Sequence, residues 1–229
     1  MARMKYLATD CFTSAFERIR SVYAAGHRVV VSFSAGKDSG VVLNLAIQAA
    51  TLEGRLPVEV VFRDEEIMPP GTFEYAEQVK ADERVDFHWV FARQAIPNVF
   101  NRESPYWWAF DDRLSPAEWV REPPPWAVEI ENPNIRFIIE KRDFPPPPGK
   151  NLIKLLGLRA NESMNRRMGI HSSGGWLTTH PDVSGAFSGR PIYDMKDVDV
   201  WKAYRDNSWA YNSAYDVFYR FGIPPRRMR

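Results

Sequence analysis

Residues 29–46 read Val-Val-Val-Ser-Phe-Ser-Ala-Gly-Lys-Asp-Ser-Gly-Val-Val-Leu-Asn-Leu-Ala. A β-branched run, Val29–Phe33, enters a polar turn at Ser34–Ser39 and leaves as an apolar helical pattern. β-Branched residues suit extended chain and small polar residues suit turns, so the stretch predicts a strand–loop–helix unit. Its loop offers hydroxyls and a row of backbone N–H groups at the start of a helix. Such a terminus carries about half a positive charge and several unpaired donors, and it therefore receives phosphate. The spacing is not Walker A, Gly-x-x-x-x-Gly-Lys-Ser/Thr, because Asp38 separates Lys37 from Ser39 and the first glycine is missing. A plainer reading of the same residues is a serine-rich turn that only caps a helix.

Working outward, Phe12, Ala15, Phe16, Ile19, Val22 and Tyr23 recur at helical spacing and Gly26 follows as a stop. Val58–Phe62 is a continuous apolar run, the mark of a strand buried on both faces. Gly71–Glu83 reads as a helix, and Val85, Phe87, Trp89 and Phe91 alternate as a third strand. Strands alternating with helices imply right-handed crossovers, so the expected fold is α/β with a parallel, Rossmann-like sheet and helices on both faces. Ligands of such sheets bind beyond the carboxyl ends of the strands. Ser34–Ser39 and Asp64–Glu66 both follow strand ends and should face one crevice.

The character changes between residues 95 and 150, which hold eleven of the 18 prolines with Trp107, Trp108, Trp119 and Trp126. Proline clusters at 123–125 and 145–148 interrupt regular elements. The segment is too aromatic for a disordered linker. It reads as an ordered insertion with a short helix around Pro116–Val120. Its aromatics can form a small core of their own or a surface that stacks bases or holds a protein partner. The α/β domain then has an N-terminal part, 1–94, and a C-terminal part, 151–229. In the latter, Asn151–Leu158 is strand-like and Asn161–Met168 a basic helical stretch. Residues 171–190 are expected to be a mobile loop over the crevice. Asp194–Asp206 and Asn212–Phe221 are expected to be amphipathic helices.

Composition narrows the class. The chain has 229 residues, 45% hydrophobic and 26% charged, as ordinary globular domains do. A net charge of +1 is neutral on nucleic acid, since a local patch can sit inside it. The start lacks the apolar core of a signal peptide and no stretch is long enough to span a membrane, so a cytoplasmic protein without a membrane partner is expected. Cys11 is the single cysteine, which excludes an internal disulfide, a four-cysteine zinc site and a cysteine-held iron–sulfur cluster. The histidines show no metal-ligand spacing. Neither composition nor pattern speaks to oligomeric state.

Ser34-Ala35-Gly36-Lys37-Asp38-Ser39 resembles the Ser-x-Gly-x-Asp-Ser PP-loop of the adenine-nucleotide α-hydrolase superfamily. Gly157-Leu158-Arg159-Ala160-Asn161-Glu162-Ser163 is similar to the Gly-x-Arg-x-x-Glu-Ser element of its phosphoadenosine phosphosulfate (PAPS) reductase-like members. Residues 63–72 resemble the Arg-Asp-Glu-Glu-Ile-x-Pro-Pro-Gly-Thr run of the co-activator-type branch, whose members run longer than this chain. Residues 190–201 resemble a family stretch in which Met195 replaces a tryptophan, and they read as structural.

The resemblance implies a HUP-type sheet that binds ATP or PAPS with Mg²⁺. It implies a nucleotide site of Ser32, Phe33, Ser34, Ala35, Gly36, Lys37, Asp38, Ser39, Asp64, Glu65, Gly157, Arg159, Glu162 and Arg166, with Lys37, Asp38 and Arg159 acting in catalysis. Asp64 and Glu65 would hold the magnesium, whose preference for hard oxygens matches carboxylates beside a triphosphate. Plainer readings are a solvated acidic turn for 63–66 and a surface Glu162–Arg166 pair at i, i+4. The reductases' Glu-Cys-Gly-Leu-His element is absent, and Cys11 sits in a predicted helix with nothing to lower its pKa. Three functions follow as expectations. The leading one is cleavage of ATP to an adenylate and pyrophosphate, which activates an acceptor. The second is PAPS reduction or sulfotransfer. The third is nucleotide binding without catalysis inside a partner complex, with a protein or a nucleic-acid acceptor meeting the insertion.

Overall fold

Asp10 opens the first helix by accepting the N–H groups of Phe12 and Thr13, both at 2.9 Å, and α1 runs Cys11–Ala24. The computed structural model of the protein describes residues 8–69, 71–98, 101–130, 143–172, 175–179 and 184–228. The quoted stretch folds as read: β1 is Arg28–Phe33 and α2 is Lys37–Leu52. β2 (Val58–Asp64), α3 (Thr72–Lys80) and β3 (Val85–Phe91) follow in turn. The insertion adds a hairpin of β4 (Gln94–Pro97) and β5 (Tyr106–Ala109), then β6 (Val128–Glu129). β7 (Leu152–Leu156), α4 (Met164–Ser172), β8 (Leu177–Thr179), β9 (Ala186–Gly189), α5 (Asp197–Asn207) and α6 (Ala214–Arg220) complete the order.

The main sheet runs β6-β3-β2-β1-β7-β9-β8. All neighbours are parallel except β8 on β9, so the sheet is mostly parallel. β1 lies at its centre, with Val31 opposite Val60 on one side and Leu155 on the other. The chain steps from β1 outward to β2 and β3, then returns to the far side of β1 as β7. That reversal makes the gap between β1 and β7 the switch point, where ligands of open α/β sheets bind.

Val29, Val31 and Phe33 point into the large core beneath α1, α2, α3 and α5. Val30, Val61, Val90 and Leu152 point the other way, toward Phe144 and Ile130 of the insertion. Helices were expected on both faces. Among the described residues, those that share the sheet's main core gather on one. Successive steps in one direction with right-handed crossovers place α2 and α3 on the same side, and the insertion covers the other.

Two further expectations change. Residues 171–190 are not simply a loop, because β8 and β9 within them extend the sheet. Trp176, Leu177 and Phe187 pack on the main core, and that burial holds strands of only three and four residues. Residues 173, 174 and 180–183 of this segment lie outside the described residues. The expected helix of the insertion is a single 3-10 turn at Pro116–Glu118, the rest being hairpin and edge strand. Phe91, Ala109 and Phe110 form a small core there, with Trp107 and Trp119 packed on it. Trp108 and Trp126 stay exposed, each under a cation: Arg113 at 5.1 Å and Lys80 at 4.8 Å. The insertion thus has a small core of its own, and Trp108 and Trp126 lie outside it. Residues 131–142 of the insertion lie outside the described residues.

Candidate functional site

The loop after β1 is held in a strained form. Ala35 is buried at φ +54°, a left-handed conformation that costs a non-glycine residue about 1–2 kcal/mol. Asn212 holds it, donating from Nδ2 to the Ala35 carbonyl and to Thr72 Oγ1, each at 3.1 Å. The Ser34 and Ser39 hydroxyls lie 3.1 Å apart. Ser39 Oγ also accepts the Ser34 N–H at 3.2 Å and donates to the Gly36 carbonyl at 3.0 Å. Gly36 caps α2 without any side-chain hydrogen bond. The first-turn N–H groups of Asp38 and Ser39 have no intrahelical acceptor, as at any helix start. The exposed Ser34 hydroxyl and the start of α2 thus lie together beyond the carboxyl end of β1.

Three tyrosines grip this turn from α3, α5 and α6. The Lys37 N–H donates to Tyr215 Oη at 3.0 Å, and Tyr204 Oη donates to the Lys37 carbonyl at 2.7 Å. Burial pushes the Tyr75 and Tyr215 hydroxyls up to about 12, so both stay protonated as neutral partners. Gly40 is required here: a Cβ would lie 2.1 Å from Tyr204 Oη and 2.9 Å from Tyr75 Oη. Gly157 meets a similar constraint, since its Cβ would lie 2.6 Å from the Ser39 nitrogen. The end of β7 therefore lies directly against the loop backbone.

Behind the loop sit two cations and two carboxylates. Lys37 is 1% exposed, its Nζ 2.8 Å from Asp38 Oδ2 and 3.8 Å from Asp197 Oδ1. Arg159 is 2% exposed, with Nη2 2.7 Å from Asp197 Oδ1 and Nε 2.8 Å from Asp38 Oδ1. Burial works against the Arg159 charge, and Asp38 and Asp197 together overcome it, so its pKa is raised. Arg159 Nε and Asp38 Oδ1 face each other without hydrogen-bond geometry and keep unused bonding capacity. The charges balance internally. Lys37 and Arg159 thus lie in a buried lattice under the loop.

The acidic turn after β2 does different work from that expected. Asp64 is fully buried; its Oδ1 accepts the Glu66 N–H at 2.9 Å and its Oδ2 accepts Trp89 Nε1 at 2.9 Å, with Arg121 Nη2 paired to the same oxygen. Glu65 pairs with Arg63. Glu66, left-handed at φ +61°, accepts the N–H groups of Phe110 and Val120 at 2.5 and 2.7 Å. Asp64 has no exposed oxygen for magnesium, and the donor set at Asp64 and Glu65 does not fit that ion. The turn instead fastens the insertion to β2.

The remaining predicted residues divide. Ser32 is half-buried on β1, and the Phe33 ring packs among Tyr75, Phe62 and Phe87 at 5.5–6.3 Å, so Phe33 builds the core. Glu162 Oε2 accepts the Arg159 N–H at 3.1 Å and pairs with Arg166, the plainer reading of that pair. Cys11 is half-buried, and burial with Asp199 and Asp194 nearby pushes its thiol up to about 11. The sequence reading missed Tyr75, Tyr204, Tyr215, Asn212 and Asp197. A glycine at 40, inside an otherwise apolar helix, was the signal that something approaches closely there.

Residues 28–113 match the family described as phosphoadenosine phosphosulfate reductase domain. The chain is 30% identical over 242 residues to "Uncharacterized protein YbdN" of Escherichia coli (strain K12), which covers 97% of this chain and 58% of that protein. It therefore spans less than two thirds of that relative's length. Among solved structures it is similar to the PAPS reductase of Candida auris in its phosphate complex, with a TM-score of 0.54 and 16% identity over 89% of this chain and 84% of that one. It is also similar to the FMN adenylyltransferase of Candida glabrata, with a TM-score of 0.54 and 10% identity over 93% and 62%. At these identities the likeness to the solved structures is one of fold.

Proposed function

We propose that the chain is a nucleotide-binding PP-loop protein of the PAPS reductase-like superfamily and that Ser34–Ser39 binds the phosphates of ATP, a reading supported by the matched domain and by the YbdN relative. The observation that carries the reading is the α2 start, where the Asp38 and Ser39 N–H groups lack an intrahelical acceptor beside a left-handed Ala35 and the exposed Ser34 hydroxyl. The ATP complex of the Candida glabrata FMN adenylyltransferase supports the choice of nucleotide. An acceptor oxygen attacks the α-phosphorus, the bond from that phosphorus to the bridging oxygen breaks, and pyrophosphate leaves with the electron pair. The step needs charge stabilisation and positioning more than a protein nucleophile. Backbone N–H groups and the exposed Ser34 hydroxyl meet the phosphates, while Ser39 braces the turn and Lys37, Asp38, Arg159 and Asp197 keep the loop in shape from beneath. Whichever ion accompanies the nucleotide, Asp64 and Glu65 do not hold it.

PAPS is the second reading, favoured by the matched reductase domain. Cys11, with its raised pKa, is a poor thiolate for reducing it. Calorimetry with ATP and with PAPS separates the two ligands, and pyrophosphate release from ATP tests the chemistry. Ser34→Ala with Ser39→Ala removes the Ser34 donor, worth about 1.5–3 kcal/mol toward a charged ligand, together with the Ser39 hydroxyl that positions it, so affinity should fall at least about tenfold. Unchanged affinity in a folded double variant refutes the loop as the site.

A further inference from the structure

A second constellation lies at the opposite end of the sheet, where β2 and β3 begin. Glu59 and Asp86 are directly opposed across the two strands, and His88 stands two residues further along β3 on the same side. One ligand atom from each lies within 4.8 Å of the others. His88 Nε2 is buried and has no hydrogen-bond partner, although Asp86 Oδ2 is 3.4 Å away. Asp86 is exposed and leaves a path for entry from solvent.

Glu59 is held by Arg28, whose Nε donates to Oε2 at 2.8 Å and whose Nη2 pairs with Oε1. A two-pronged guanidinium takes one lone pair from each oxygen, and a carboxylate has about four sites in all. Each Glu59 oxygen therefore keeps a lone pair for another partner. Phe144 packs on both the Arg28 guanidinium and the His88 imidazole, at 5.2 and 5.1 Å.

Glu59 and Asp86 also line a cavity of about 360 Å³ with Tyr23, Arg55, Pro57 and Pro145. Tyr23 is 4% exposed, yet its hydroxyl has no hydrogen-bond partner. Two orphaned polar atoms, on α1 and β3, thus flank the same carboxylates. Burying such atoms unpaired is costly, and native proteins satisfy them with a bound water or ion.

We propose that Glu59, Asp86 and His88 form a site for a divalent transition-metal ion, with further coordination positions facing the cavity beside Tyr23. One imidazole and two carboxylates form a nitrogen–oxygen set suited to zinc, cobalt or manganese rather than to calcium. The site lies at the far strand ends from the nucleotide loop and is independent of it.

The test uses chelator-treated full chain titrated with Co²⁺ alone, followed by its visible absorption, without nucleotide. One saturable Co²⁺ per chain is expected. His88→Ala and Asp86→Asn should each weaken binding at least about tenfold, as loss of a direct ligand exceeds the 10–100-fold cost of losing its supports. His171→Ala, on the exposed face of α4, should leave binding unchanged. Metal-free melting temperatures check folding, and His88→Gln, closer in shape, replaces His88→Ala if that variant misfolds. Absence of saturable binding in the parent chain, or equal binding after loss of His88, overturns the proposal.

Discussion

The buried charges under the loop make Asp38 a structural residue. Removing its carboxylate leaves Lys37 and Arg159 buried with only Asp197 between them. Breaking a buried pair from one side costs about 3–5 kcal/mol, because the partner's charge stays uncompensated. Asp38→Ala should therefore lower the urea midpoint strongly even without nucleotide. A midpoint near that of the parent chain would show that the lattice is not structural. Sequence made Ser34–Ser39 legible because its signal is local: β-branched residues, small residues and a helix start within ten positions. It could not show that Lys37 and Arg159 neutralise Asp38 and Asp197, since their partners are up to 160 positions away and meet only in the folded chain.

At the scale of elements, the β2 turn joins the sheet to the insertion. Glu66→Gln keeps the shape but leaves one of the Phe110 and Val120 N–H groups facing an amide nitrogen. An unsatisfied buried donor costs about 1–3 kcal/mol. The variant should be cut faster within the insertion by a protease at low concentration, while retaining most of its affinity for nucleotide. Equal cleavage rates would mean that the insertion is held by its aromatic core alone. In sequence this turn resembles a nucleotide or metal contact, because carboxylates at a strand end look alike whatever they face. Only the folded chain brings Arg121 to Asp64. β6, β8 and β9 escaped the reading for another reason: strands of two to four residues are too short to display a period.

For the whole molecule, the bond between His27 Nδ1 and the Asn151 N–H ties the start of β1 to that of β7 across the switch point. That nitrogen accepts only while the ring is neutral. Burial, helped by Lys150, lowers the His27 pKa below its usual 6.5. The folded state therefore binds this proton less readily than the unfolded chain. The contribution is fully present above about pH 6.5 and is lost as pH falls through the lowered value. Urea midpoints at pH 7.5 and 5.5 should differ more for the parent chain than for His27→Asn. Equal differences would exclude the His27 link.

The central position of β1 has a consequence for synthesis. Its first neighbour, β2, is made promptly, but its other neighbour, β7, follows about 120 residues later, roughly 6–24 s at ordinary ribosome speeds. Until then the newborn chain holds Val29-Val30-Val31 as an open hydrophobic edge, the kind of strand that recruits other chains. The yield of soluble protein should thus depend on how long that edge waits, and on whether a chaperone covers it meanwhile.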